Sequence, residues 1–341
     1  MMELFELTRE LCALPGISGQ EGKVAEYITE AIKDYCEYKI DPLGNILVWK
    51  KGQNPAGKKL LLSAHMDEVG FTVCFINADG TLKVHPVGGV DAAVVVGRRV
   101  LVGENLLPGV VGITPIHLMD AAARDKGVKM DDLYIDIGVD SREEAEKLVT
   151  LGESVIFEPG FESFGEGYLM GKALDDRAGC AMLIKLIQGE LPYDCMFAFT
   201  VQEEIGCVGA KAAAYTLQPD LSIIVETTTA GDLAGVSASK KVCALKNGPV
   251  IPFMDRGTVY DRKMYARAHR ISREKGIACQ TKEGVYGGTE GRSIQTAAGG
   301  AKVLAVSLPC RYLHSASCVL AQQDMQQELE LLKILIEEFA K

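Results

Sequence analysis

The chain has 341 residues, of which 48% are hydrophobic and 24% charged, a composition typical of a globular protein with one large or two medium domains. Its net charge of −10, without any block dense in lysine and arginine, argues against nucleic acid as a main partner. Ten cysteines lie scattered without a CxxC pair, which favours reduced thiols over a disulfide framework. Since no signal-like segment and no apolar run of about 18 residues is found, we expect a cytoplasmic protein that binds no membrane.

The stretch around which the rest of the chain is organised is LLLSAHMDEVGF, at residues 60–71. Residues 60–63 predict a buried central strand that leads directly to His65 and Asp67. Ligands bind at the carboxyl ends of strands in open α/β sheets, and side chains two residues apart point the same way. An imidazole there can bind a metal through one nitrogen while a nearby carboxylate holds the other. A lone histidine would more simply be a core residue, but further acidic strand ends and a second histidine favour a metal site.

The segment before this strand predicts two helices and a strand pair. The first amphipathic helix ends at Pro15-Gly16, and Ser18 and Glu21 have capping-box spacing for the second. Residues 37–40 and 46–49 are predicted strands joined by a turn that contains Pro and Gly.

Residues 70–164 have a different pattern of apolar residues and glycines. Short valine-rich segments alternate with glycine turns, and one short helix is predicted, with Ser141 as its cap and Glu144 three residues on. Many short strands with few helices predict a small β-barrel or sandwich inserted into an α/β frame. We therefore predict a catalytic domain made of residues 1–69 and 165–341, interrupted by a β-rich domain of residues 70–164.

The α/β rhythm returns after residue 165. Asp175 and Asp176 precede a predicted helix over residues 177–188, and a closing amphipathic helix is predicted over residues 324–339. The strands predicted between them cover residues 196–201, 221–225, 241–246 and 303–308.

Side chains that can bind a metal follow four of the strands that are predicted to be buried, and a fifth such side chain precedes a helix. They are His65, Glu203 or Glu204, Glu226, His314 and Asp175. Two histidines and three carboxylates can hold two divalent ions that share one carboxylate, and the imidazoles favour zinc or cobalt. In two-metal hydrolases the ions lie about 3.5–4 Å apart and activate one water, whose proton a neighbouring carboxylate must accept. One of the adjacent Glu203 and Glu204 can bind metal while the other stays free, because consecutive side chains diverge.

Four motifs, HMDEVGF, GKALDDRAGC, TVQEEIGCVGA and RYLHS, resemble in order and spacing the M42 family of metallo-aminopeptidases, which includes tetrahedral and glutamyl aminopeptidases. The resemblance covers essentially the whole chain, since it includes LPGISGQEGKVAEYI near the start and DDLYIDIGVDSREEAEKL in the inserted segment. It implies an α/β/α sandwich catalytic domain interrupted by a β-barrel-like dimerisation domain. It also implies a homo-oligomer in which dimers assemble into a tetrahedral dodecamer.

The resemblance further implies a role for each site residue. The ligands of one ion would be His65, Asp175 and Glu226, and those of the other Asp175, Glu204 and His314. Glu203 would be the general base, and Asp67 would orient His65. The implied activity is the metal-dependent release of N-terminal residues from short peptides.

Three positions depart from the usual pattern of the family. Glu226 stands where the family has Asp, Glu290 replaces the Asp of GGTDA, and Cys318 replaces a Glu. The chemical type is kept at the first two positions, so the metallohydrolase prediction stands while the substrate preference is open.

Three alternative functions compete with the aminopeptidase. A deacylase or carboxypeptidase is the nearest, and Glu226 slightly favours it. An endoglucanase, a label that some family members carry, needs two free carboxylates beside the scissile bond, whereas the acidic residues here are better explained as ligands. A non-catalytic metal-binding scaffold would be expected to lose the base, and Glu203 is present.

Overall fold

The computed structural model describes residues 3–118 and 127–341. The predicted central strand lies in the middle of an eight-stranded sheet. With elements numbered in chain order, the strands of this sheet are, from edge to edge, β1 (Glu37–Ile40), β2 (Ile46–Lys50), β12 (Cys195–Thr200), β3 (Leu60–His65), β13 (Leu221–Thr229), β16 (Lys302–Cys310), β14 (Val250–Ile251) and β15 (Gln280–Thr281). Strands β12, β3, β13 and β16 run parallel. Their carboxyl ends therefore share one edge of the sheet, where ligands bind in such folds.

Helices cover both faces of this sheet. One face packs against α1 (Leu4–Ala13), α2 (Gly22–Ile32), α5 (Leu174–Gln188), α7 (Arg262–Lys275) and α9 (Gln322–Ala340). The other face packs against α6 (Val208–Leu217) and α8 (Gly291–Ile294). Because successive side chains of a strand point to opposite faces, Leu60 and Leu62 belong to the first core and Leu61 to the second. The predicted α/β/α sandwich is confirmed.

A closed six-stranded barrel follows the central strand along the chain. Its members are β4 (Gly70–Ile76), β5 (Leu82–Val87), β6 (Arg99–Val102), β7 (Leu107–Ile113), β8 (Leu133–Asp136) and β9 (Ser154–Phe157). The barrel encloses a core of its own, in which Phe71 and Phe157 meet edge to face. Of the two predicted alternatives, barrel and sandwich, the structure has the barrel.

Short elements complete the described chain. They are the helices α3 (Ala92–Val95) and α4 (Arg142–Ala145), the 3₁₀ turns Ile116–Leu118, Met130–Asp132 and Ala238–Lys240, and the sheet of β10 (Glu162–Phe164), β11 (Tyr168–Gly171) and β17 (Cys318–Ala321). Ser141 caps α4 as predicted by accepting from Glu144 N. No helix in the described ranges is both long and apolar enough to cross a bilayer. The domain limits at residues 69/70 and 164/165 stay a prediction.

Two local predictions are wrong, and long-range contacts explain both. Residues 241–246 form a loop instead of a strand, because the side chains of Asp232 and Asp324 accept the backbone N–H groups of residues 245 and 246. Ser18 does not cap α2, since its hydroxyl donates to Asp67 Oδ2 at 2.6 Å and the N-cap residue is Glu21.

Candidate active site

The predicted site residues come together at the shared carboxyl edge of the parallel strands. A cavity of about 440 Å³ is lined by His65, Asp175, Glu203, Glu204, Glu226 and His314. Asp67, the remaining predicted site residue, is buried within hydrogen-bond distance of this group. The strand that carries Glu226 is longer than predicted, since it runs on to Thr229.

Both histidines are held through Nδ1, so that Nε2 faces the carboxylates. His65 Nδ1 lies 3.1 Å from Asp67 O and 3.4 Å from Asp67 Oδ1. His314 Nδ1 lies 3.0 Å from the carbonyl oxygen of Gly89, a residue that follows barrel strand β5. An Nδ1–H that donates to such acceptors leaves the lone pair on Nε2, the arrangement of a metal-binding imidazole.

Asp67 joins two of the strand ends that carry the site, those of β3 and β12. Its Oδ1 accepts from Glu203 N at 2.9 Å, and its Oδ2 accepts from Glu204 N at 3.1 Å and from the Ser18 hydroxyl. The same carboxylate lies against His65. One buried side chain therefore sets the position of His65 relative to both glutamates.

Asp175 stands between the two imidazoles. Its Oδ1 lies 3.3 Å from His65 Nε2, and its Oδ2 lies 3.4 Å from His314 Nε2. Glu226 Oε1 adds a 3.3 Å contact to His65 Nε2, and Glu204 Oε1 adds a 3.4 Å contact to His314 Nε2. The result is two groups of three donor atoms that have Asp175 in common.

These separations fit a shared cation better than direct hydrogen bonds. Charge-assisted N–H···O bonds are about 2.7–2.9 Å long. Nitrogen and oxygen ligands that surround a tetrahedral zinc ion at bonding distance lie roughly 3.3–3.6 Å from each other. Asp175 Oδ1 is moreover buried without a hydrogen-bond partner among the described residues. The donor set therefore suits divalent ions.

Burial and neighbouring carboxylates both shift the pKa values of the site residues. Burial raises the pKa of Glu204 to about 8, and the charge of Asp175 adds to the effect. Burial also raises the pKa of Glu226 well above its usual range. Burial opposes protonation of His314, but Asp175 and Glu204 together raise its pKa to about 10. At His314 the neighbouring carboxylates outweigh burial, so this part of the cavity favours positive charge.

Glu203 lies beside these two groups without belonging to either. It lines the cavity, and its Oε1 accepts from the Cys207 thiol at 3.0 Å. It forms no ion pair with His65 or His314 among the described contacts. Burial raises its pKa. A carboxylate so placed can exchange a proton with a molecule in the cavity.

The positions that depart from the family pattern are all buried. Glu226 is in the cavity, whereas Glu290 Oε2 accepts from the Thr200 hydroxyl at 2.6 Å. Cys318 borders a small space together with Asp175, Glu204 and His314.

Sequence reasoning missed two further side chains, Asp176 and Lys282. Potential ligand atoms of Asp176, His65 and Glu226 all lie within 4.8 Å of one another, and Asp176 Oδ1 accepts from Gly179 N at 3.1 Å. The position of Asp176 next to Asp175 was the signal that could have found it. Lys282 lines the cavity, but an isolated lysine after a short strand is normally solvated and carries no signal.

A buried ion-pair network supports the strand end that carries His65. Lys172 Nζ lies 2.8 Å from both oxygens of Glu68, and Arg177 Nη2 lies 3.5 Å from Glu68 Oε1. Arg177 Nε also donates to Met66 O at 2.7 Å. All three charged side chains are buried, so the network ties α5 to the segment next to His65.

Glu68→Gln is expected to lower the free energy of unfolding by roughly 3–5 kcal/mol, because it leaves two buried cations without their counter-charge. Urea unfolding monitored by circular dichroism would measure the loss. Glu6→Gln is the matched control, since Glu6 pairs with Arg9 on the surface and such pairs contribute about 0–1 kcal/mol. Equal losses in the two variants would contradict the expectation.

Comparisons with known proteins agree with this geometry. The sequence profile of the M42 glutamyl aminopeptidase family matches residues 44–331. A lysyl aminopeptidase of Pyrococcus furiosus is 33% identical in an alignment that covers 98% of this chain and 97% of the relative. A solved aminopeptidase from the archaeon Desulfurococcus kamchatkensis superposes with a TM-score of 0.92 at 31% identity, covering 98% of this chain and 94% of that one.

A further solved relative is the TET1 peptidase of Pyrococcus horikoshii, which can assemble into a tetrahedron or a large octahedral shell. Its TM-score is 0.87 at 35% identity, covering 98% of this chain and 99% of that one. The family profile matches most of the chain, and the sequence identity to aminopeptidases extends over nearly its full length. The chain belongs to the M42 family of aminopeptidases.

Proposed function

We propose that the cavity releases N-terminal residues from short peptides with the help of two divalent ions, zinc or cobalt. Membership of the M42 family makes the chain a hydrolase that acts as an aminopeptidase. The ligands that we assign are His65, Asp175 and Glu226 for one ion, and Asp175, Glu204 and His314 for the other. The observation that carries the assignment is that the two oxygens of Asp175 face different imidazoles, at 3.3 and 3.4 Å. A bridging carboxylate needs this arrangement.

The ions and the chain divide the chemistry between them. Divalent ions supply Lewis-acid chemistry, since they polarise a carbonyl group and make water more acidic. Glu203 accepts the proton of the attacking water and passes it to the leaving amine. Asp67 acts as a positioning residue, because it fixes His65 and accepts the backbone N–H groups of Glu203 and Glu204. Burial of Glu203 raises its pKa, which makes the carboxylate a stronger base.

We also assign the barrel a role in assembly. The Pyrococcus horikoshii relative assembles into closed shells, which supports a homo-oligomer built from dimers, with a tetrahedral dodecamer as the finer proposal. Apolar side chains of the barrel region, Val110, Leu148 and Leu151, are exposed in the single chain and suit a contact between subunits.

The free thiols of all ten cysteines fit a reducing compartment such as the cytoplasm.

The proposed activity is expected to require both a divalent ion and a free α-amino group. An excess of chelator should abolish hydrolysis of aminoacyl p-nitroanilides, and added cobalt or zinc should restore it. N-acetylation should abolish cleavage of the same substrates, because it removes the charged amino terminus. Steady-state rates of matched free and acetylated substrates would measure the effect.

Two results would contradict the proposal. One is undiminished cleavage of acetylated peptides, which would favour a deacylase or another amide-cleaving activity. The other is hydrolysis of cellulose by the chelated enzyme, which would favour the endoglucanase alternative.

A further inference from the structure

His314 lies in the loop of residues 311–317, which joins β16 to β17 and is called the His314 loop below. Arg311 and Val319 close this loop, because each donates its backbone N–H to the carbonyl oxygen of the other at 3.0 Å. The imidazole reaches the cavity from the middle of the loop. Its position therefore depends on how the loop is held.

Two residues of the His314 loop have a backbone conformation that is unfavourable for residues with a side chain. Tyr312 has a φ angle of 59° and His314 one of 58°, both in the left-handed region. A non-glycine residue keeps such a conformation where the surrounding contacts hold it there. We therefore looked for the contacts that join this loop to other segments.

An ion pair with two parallel hydrogen bonds ties the His314 loop to a distant segment. Arg311 donates from Nε to Asp232 Oδ1 and from Nη2 to Asp232 Oδ2, each at 2.7 Å. Such a pair fixes direction as well as distance. It is partly shielded from water, since 23% of the Arg311 side chain and 11% of the Asp232 side chain are exposed. Burial raises the pKa of Asp232, but the hydrogen bond from Arg311 and that from Leu245 N lower it below its ordinary value.

The ion pair joins the two strands that lead to assigned ligands of different ions. Asp232 follows β13, the strand that carries Glu226, and Arg311 directly follows β16, the strand that leads to His314. These neighbouring strands are parallel and are paired up to the last residue of each. The ion pair extends this connection beyond the strands and so sets where the His314 loop begins.

Arg311 itself does not contact the site. It is not among the residues that line the described cavity, whereas the next three residues, Tyr312, Leu313 and His314, are. Within the described chain its guanidinium group forms an ion pair with Asp232 and with no assigned metal ligand. Any effect of Arg311 on the site must therefore pass through the backbone of the loop.

We propose that Arg311, held by Asp232, is a positioning residue that places His314 for the ion assigned to Asp175, Glu204 and His314. The barrel carbonyl that accepts from Nδ1 fixes the rotation of the imidazole, whereas the ion pair fixes the backbone from which the imidazole extends. The inference rests on the proposed function, because the ligand role of His314 is part of it.

A second ion pair of the same kind lies away from the cavity and supplies a matched control. Arg267 donates from Nε to Glu338 Oε1 at 2.6 Å and from Nη2 to Glu338 Oε2 at 2.8 Å, which joins α7 to α9. The two side chains are 30% and 34% exposed, and neither lines the described cavity. Substitution of Arg267 therefore removes a comparable ion pair and leaves the His314 loop unchanged.

The test is a competitive zinc titration of the metal-free full-length variants against a fluorescent zinc indicator. Arg311→Met is expected to raise the dissociation constant of one of the two ions by about 10- to 100-fold, the usual effect of removing a group that orients a metal ligand. The other ion should keep its wild-type constant. Arg311→Lys, which keeps the charge but lacks the two-pronged geometry, should give a smaller rise. Arg267→Met should leave both constants at their wild-type values.

A double-mutant cycle with His314→Ala shows whether Arg311 acts through this histidine. In the His314→Ala protein, the added Arg311→Met substitution should change neither zinc constant, because the group that it positions is already absent. A further rise of either constant would show that Arg311 affects the metal site by another route and would overturn the proposal.

The remaining outcomes separate a positioning role from a general contribution to stability. Unchanged zinc constants in Arg311→Met, an equal rise for both ions, or the same rise in Arg267→Met would each overturn the proposal. If Arg311→Met does not fold, Arg311→Lys decides in its place, and unchanged constants there would overturn the proposal. Failure of the zinc-loaded wild type to cleave aminoacyl p-nitroanilides would instead contradict the proposed function, while the titration would still decide the role of Arg311.

Discussion

Glu203→Gln is expected to lower kcat by about 10²–10⁴-fold, the usual contribution of a positioned general base. The amide keeps the size of the side chain but cannot accept a proton from water. Glu203 belongs to neither group of donor atoms around Asp175, so the variant should keep its fold and both ions. Steady-state kinetics at saturating metal, together with elemental analysis of the purified protein, would measure both properties.

The matched control for this variant is Glu104→Gln, an exposed glutamate of the barrel that should keep the wild-type kcat. A Glu203→Gln enzyme that retained more than about a tenth of the wild-type kcat with full metal occupancy would show that another group is the base. A loss of metal in parallel with activity would instead make Glu203 a ligand and leave Glu204 as the free carboxylate.

Glu226→Ala is expected to reduce bound metal from two ions towards one per subunit. Glu226 Oε1 lies 3.3 Å from His65 Nε2 and accepts from Thr227 N at 3.2 Å, so it is held against that imidazole. Loss of one of three protein ligands should weaken this ion far more than its neighbour, which keeps Asp175, Glu204 and His314. Elemental analysis after exhaustive dialysis would count the ions.

Two further variants sharpen this expectation. Glu226→Asp should largely keep both ions, because it restores the shorter carboxylate that the family uses there. Glu290→Gln removes a nearby buried carboxyl that bonds the Thr200 hydroxyl, and it should leave the metal content unchanged. If a folded Glu226→Ala protein still bound two ions, Glu226 would not be a ligand, and Asp176 would be the next residue to test because of its place beside His65.

Local patterns in the sequence were enough to predict several of the strands that form the central sheet. The apolar run before His65 predicted a strand, and β3 is buried throughout. The turn residues between two short segments predicted the β1–β2 pair, whose strands are antiparallel. These predictions succeed because strand burial and short hairpins depend on residues that are close together in the chain. Several of the residues that line the cavity could be located for the same reason, since His65 ends β3 and Glu203 and Glu204 follow β12.

Long-range contacts decided what these patterns could not. The hydroxyl of Ser18 would cap α2 by its spacing, but it donates to Asp67, 49 positions further along the chain. Residues 241–246 have an apolar pattern that suits a strand, but Asp324 accepts their backbone N–H and holds them in a loop. In each case a distant polar side chain satisfies the group that the local prediction had assigned elsewhere.

The sequence by itself determined which chemical groups are available and which strand ends carry them: His65 and Asp67 at the end of β3, and Glu203 and Glu204 after β12. Only the tertiary structure decided how they act together. The closed barrel brings Gly89 to His314, 225 positions away, and thereby fixes which nitrogen of the imidazole faces Asp175. Lys282, which follows β15 of the eight-stranded sheet, likewise reaches the wall of the cavity only through the packing of the elements. The physical reason is that periodicity reports which face of an element is buried, whereas hydrogen bonds and charge contacts between distant segments depend on how the elements pack.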